Sequence, residues 1–141
     1  MQPYSYTIAL RIWHPSIDPV DITAALRINP KHTNKAGLPR QTLKGTLLGG
    51  VYAESYWHAD PFEYGEQQSG EVSAEDALSE LLDALTPHRD FLRELRNEGA
   101  RVILQLTSHG NRNYAIELSP GLLGKCSDLG VSLAHDVYPF V

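Results

Sequence analysis

The sequence predicts an α+β fold: a mostly antiparallel sheet with its helices packed on one face, in a ferredoxin-like or related two-layer sandwich. Three observations carry this. Apolar residues at every second position mark extended stretches near both ends of the chain, one stretch in the middle has them at helical spacing, and two polar-residue-plus-proline signals announce short helices between strands. A chain of 141 residues is expected to form a single domain, residues 1–141.

The elements follow in order. From Tyr4 to Trp13, Tyr4, Tyr6, Ile8, Leu10 and Ile12 alternate with Ser5, Thr7, Ala9 and Arg11, as a half-buried strand requires. Asp18 then caps a short helix with Pro19 at its first position, Ile22 and Leu26 face inward, and Pro30 ends it before a polar turn. A second strand is expected around Val51 to Ala59, with Tyr52 and Tyr56 on one face and Trp57 on the other. Ser73 and Asp76 have the form of a cap for the longest helix, along which Ala74, Ala77, Leu78, Leu81, Leu82 and Leu85 recur. Thr86-Pro87 restarts a helical segment through Phe91, Leu92 and Leu95, closed by Gly99. Arg101 to Ser108 and Tyr114 to Leu118 read as two strands of a hairpin, Ser119-Pro120 starts a helix ended by Gly130, and Val131 to Tyr138 is a closing strand. The repeated passage from strand through polar residue and proline into a short helix is compatible either with a duplicated unit or with two independent uses of a common cap.

Composition narrows the functional classes. With 42% hydrophobic and 21% charged residues the chain reads as an ordinary folded, soluble protein, and its start shows no basic region followed by an apolar run, so a cytoplasmic location is expected. The single cysteine, Cys126, cannot pair within the chain and suits a reducing compartment. A net charge of −5 argues against nucleic acid and membrane as partners and favours a basic or neutral protein.

Several residue groups are candidates for function. In "GLPRQTLKGTLLGGVYAESYW", Gly37, Gly45, Gly49 and Gly50 permit tight turns, and Arg40, Thr42 and Lys44 alternate. If that piece is extended, these three project from one side and can hold an anionic small ligand, with Tyr56 or Trp57 lining the pocket. The other reading is a solvated hairpin whose glycines merely turn the chain, with Trp57 as a core anchor. The stretch from Asp60 to Glu71 carries Glu63, Tyr64, Glu66 and Glu71 with Phe62, and reads either as a solvated loop or as an acidic-aromatic surface that docks a basic protein. His14, His58, His109 and His135 fall near strand ends, but none has helical metal-ligand spacing. His135 shares a side with Val131, Leu133 and Val137 and is expected to be a hydrogen-bonded core histidine. Cys126, among leucines, is expected to be an inert buried thiol. No metal, cofactor or catalytic residue is assigned.

Three passages, "LRIWHPSIDPVDIT", "GLPRQTLKGTLLGGVYAESYW" and "LGVSLAHDVY", together resemble the bacterial family known as domain of unknown function 4279 (DUF4279). The family pattern falls here on Asp18, Pro19, Gly37, Arg40, Trp57, Leu129, Gly130, Leu133, Asp136 and Tyr138. The resemblance implies the fold and a bacterial origin and implies no activity. The lack of a catalytic motif, the acidity and the aromatic edges lead instead to the expected function, that of a small non-catalytic binding protein acting through protein–protein contact, with an immunity or accessory factor as one form. The alternative is an anion- or small-ligand-binding domain or enzyme with its pocket around Arg40, Lys44 and Trp57. A self-assembling subunit, a homodimer paired through a sheet edge, is a third class.

Overall fold

The structure, a computed structural model, describes residues 3–61 and 63–138. It is a two-layer α+β sandwich. The central strand β1 (Ser5–His14) buries Tyr6, Ile8, Leu10 and Ile12 on one face, as the alternation predicts. Along the other side of the sheet run β7 (Arg101–His109), antiparallel to β1, and β8 (Ser132–Val137), parallel to β7. Towards the opposite edge lie β5 (Ser55–Ala59) and the short β2 (His32–Asn34), giving the order β2-β5-β1-β7-β8. The two-residue β6 (Gln67–Gln68) pairs with Ser5 and Tyr6 of β1, whereas β5 pairs only with Leu10 to His14. Among the described residues no strand pairs with Thr7 to Ala9 on that side, which leaves a gap in the sheet.

Four helices cover one face. In α1 (Pro19–Leu26), Asp18 accepts from the Val20 N–H at 3.1 Å, and Ile22 and Leu26 are buried. The helix stops before Pro30, because Arg27 already takes a left-handed conformation (φ 57°) and its N–H closes on the Thr23 carbonyl. α2 (Ala74–Leu85) starts at the Ser73 cap and buries all six residues of the expected stripe. A 3-10 turn at Thr86–His88 links it to α3 (Arg89–Asn97), and α4 (Pro120–Leu129) is capped by Ser119 and ended by Gly130. Gly130 has φ 70°, a left-handed conformation that favours glycine, and a Cβ there would only push aside the flexible Arg96 side chain.

Three expectations are corrected. Residues 114–118 form no strand: the edge of β7 that a hairpin would use is already taken by β8, so the segment crosses the helical face, where Tyr114 stacks on Tyr4 at 4.8 Å. The alternation of Tyr114, Ile116 and Leu118 records their packing against the core. Consequently the second polar-proline helix start is preceded by no strand, and the two similar passages have different topologies, so the fold lends no support to a duplicated unit. The polar turn after α1 also contains β2, an edge strand that the sequence pattern did not mark. Finally, the expected strand from Val51 splits at Tyr52 to Glu54: Val51 ends a separate hairpin, and Tyr52 does not share a strand with Tyr56.

That hairpin, β3 (Pro39–Gln41) and β4 (Leu47–Val51), makes its own two-stranded sheet. Gly49 and Gly50, at φ 83° and 68°, accommodate a register shift between Pro39 and Gln41 that few other residues would tolerate. Every residue from 37 to 51 is exposed.

Candidate functional site

The gap beside Thr7 to Ala9 opens a cleft of about 230 Å³ between β1, the loop after β5 and α2. Ile8, Val72, Ala77 and Leu81 form its apolar walls, and Asp60, Glu80 and Tyr64 bring polar groups to it. The loop is folded rather than loose: Asp60 accepts from the Gly65 N–H at 2.9 Å through its carboxylate and from the Glu63 N–H at 3.1 Å through its carbonyl. Glu63 (φ 58°) and Gly65 (φ 62°) take left-handed conformations to make this turn. Two tyrosines fix the far end of the loop. Tyr6 Oη donates to the Val72 carbonyl at 2.7 Å, and Tyr4 Oη accepts from the Ala74 N–H at 3.0 Å and donates to Glu75 at 3.2 Å. Burial pushes the Tyr6 phenol up to about 12, with Tyr4, Asp76 and Glu75 adding to the shift, so the group is a neutral donor at physiological pH.

The four residues expected to meet a partner are thereby placed around one loop with different surroundings. Tyr64 lines the cleft. Glu63 faces a neighbouring depression beside Arg27 and Asn29, Glu66 lies 3.2 Å from His109, and Glu71 is exposed in the turn before α2. Phe62 lies outside the described residues. Sequence reasoning missed Glu80, although its position beside the buried stripe of α2 is the signal that could have found it.

The residues expected to hold an anion are not brought together with Trp57. Trp57 is fully enclosed on the helix-covered face and donates its Nε1–H to Thr23 at 3.0 Å, so it anchors the core and cannot line an open pocket. Arg40 and Lys44 are exposed on the β3–β4 arm. Thr42 enters the tip turn, accepting from the Gly45 and Thr46 N–H groups through its carbonyl and hydroxyl, so Arg40, Thr42 and Lys44 do not lie along one extended strand.

Tyr56, by contrast, stands on the open face of the sheet among residues that the sequence reading did not connect. Its ring lies 5.1 Å from that of Trp13, and its hydroxyl accepts from Arg11 Nε at 2.7 Å. The Arg11 and Arg101 guanidinium groups sit 4.7 and 5.0 Å from the Trp13 ring. Arg11 is otherwise bonded to neutral Gln105. Burial holds the His58 imidazole below its ordinary value, and Arg11, Lys31 and His32 push the same way.

Elsewhere, Cys126 is buried and its thiol is pushed up by desolvation, as expected of an inert core residue. His135 is hydrogen-bonded, to Ser108 Oγ at 2.7 Å, but the residue is exposed at the sheet edge rather than in the core, because β8 is the outermost strand. Among the described residues no group of three His, Cys, Asp or Glu side chains is placed to hold a metal ion. No helix of the described chain is long and apolar enough to cross a membrane.

The sequence model of the family described as "Domain of unknown function (DUF4279)" matches residues 4–140, nearly the whole chain. The chain belongs to the DUF4279 family. Neither a curated protein nor a solved structure matches it. The matched region of this DUF4279 chain spans both the arm and the cleft.

Proposed function

We propose that the protein is a small non-catalytic binding domain of the bacterial cytoplasm that acts by protein–protein contact, in the manner of an immunity or accessory factor, and that it takes a basic side chain of its partner into the cleft beside β1. The observation that carries this reading is the combination of an apolar floor with carboxylates. A lysine or arginine has an aliphatic stem that suits Ile8, Ala77 and Leu81, and a charged head that suits Asp60 and Glu80. Glu63, Glu66 and Glu71 surround the same loop with negative charge, which speeds encounter with a basic surface. The chain's net charge of −5 supports the same choice of partner.

The test is co-purification from the host with the unmodified chain and with Glu63, Glu66 and Glu71 reversed to lysine together. The expected result is loss of at least one specifically bound basic protein at moderate salt. If every partner that the unmodified chain retains is retained equally by the variant, docking through the acidic loop is excluded.

A further inference from the structure

The arm and the cleft stand at opposite ends of β5 and carry opposite charge. On the arm, Arg40 and Lys44 meet no carboxylate among the described residues, and Leu38, Leu43, Leu47, Leu48 and Val51 are all at least half exposed, Leu43 by 91%. On the body, Glu80 has no cation partner among the described residues, and Asp60 is only 3.8 Å from the exposed Lys31. A two-stranded hairpin is marginal in water by itself, and one this rich in exposed aliphatic side chains gains stability when they are covered. Its own body does not cover them.

We propose that the cleft receives the tip of the arm from a second copy of the chain, with Leu43 against the apolar floor and Lys44 between Asp60 and Glu80, and that the exchange is reciprocal. The proposal rests on the reading of the cleft as a docking site for a basic side chain and names its occupant. The chain's layout suits reciprocity. The arm leaves the sheet just before β5 and the cleft lies just after it, while β2 is a free edge beside both. Two copies set antiparallel along that edge bring each arm to the other's cleft. A two-fold exchange of this kind closes as a dimer and does not propagate into a fibre.

The test is sedimentation equilibrium of the full chain from about 1 to about 100 μM. The proposal predicts association to twice the 15.7 kDa chain mass. Lys44→Glu and Glu80→Lys, both at accessible positions, should each weaken association at least about tenfold, and the two changes combined should restore it above either single change but not fully, since the pair with residue 80 is then reversed while Asp60 faces the new carboxylate. A chain that stays monomeric throughout this range overturns the proposal. So does a dimer that neither single change weakens, or one that the double change fails to restore. N-acetyl-lysine methylamide, titrated into the monomeric Lys44→Glu variant, separates the two readings: probe binding at the cleft of that variant, together with an unmodified chain that stays monomeric, removes the second copy as occupant and leaves the cleft's preference for a basic group standing.

Discussion

Of the two segments that leave the ends of β5, the one that follows it is held against the body, whereas the one that precedes it stands clear. Residues 60–61 and 63–73 are closed by Asp60 bonding to its own loop and pinned by Tyr4 and Tyr6 at the start of α2. The arm from 37 to 52 has its ladder and turn, but beyond its root, where Ala36 donates to Ser55 and Lys35 pairs with Asp18, all its side chains from 37 to 51 face solvent. The physical difference is burial. The acidic loop borders a gap in the sheet and so shares the core's walls, while beyond its root the arm, among the described residues, pairs its strands with each other and leaves its side chains exposed. A segment that builds a cleft and a segment that offers apolar side chains have complementary needs, and this contrast underlies both proposals.

The largest effect expected from this contrast is on stability. Trp57→Ala removes a fully enclosed side chain in the middle of β5 that belongs to the body and should cost about 3 to 5 kcal/mol, whereas Leu47→Ala on the arm should change the monomer's stability by no more than about 0.5 kcal/mol. Urea unfolding at concentrations where the chain is monomeric measures both. Comparable losses at the two positions would show that the arm packs on the body after all. Next in size, Tyr6→Phe deletes the part-buried bond to the Val72 carbonyl, at a cost of about 0.5 to 1.5 kcal/mol, and amide exchange should accelerate over residues 66–73 while the arm is unaffected.

The smallest effect is on pH dependence. His58 has a depressed folded value, so the folded state binds its proton less readily than the unfolded chain does. Its contribution to stability is present above the ordinary histidine value near 6.5 and declines as pH falls from there through the folded value. His58→Gln should flatten the stability profile in that acidic window, and thermal melts at a series of pH values would show an unchanged profile if the imidazole were freely hydrated.

The same contrast explains which parts were legible in the sequence. The stripe of α2, the caps at Asp18, Ser73 and Ser119, and the inward alternation of β1 are local patterns, set within a few residues of each other, and each appears in the structure where it was read. The parallel pairing of β8 on β7, and its displacement of residues 114–118, are decided by competition between segments far apart in the chain, which periodicity does not record. The arm was legible in its glycines, but whether Trp57 joined Arg40 and Lys44 depended on which face of the sheet the helices chose. The cleft was legible only in its acidic loop. Ile8 and Glu80 come from elements separated by more than half the chain, and they meet because β5 and β6 each leave part of β1 uncovered.

The central claim is that the cleft prefers a basic side chain, and an NMR titration of the monomeric Lys44→Glu chain with N-acetyl-lysine methylamide and, separately, N-acetyl-glutamate methylamide tests it most directly. Shifts confined to Ile8, Val72, Ala77 and Leu81 with the lysine derivative, absent with the glutamate one and lost in a chain that also carries Glu80→Gln, are the predicted result. Equal responses to both probes, or shifts scattered over the surface without those four residues, would contradict it.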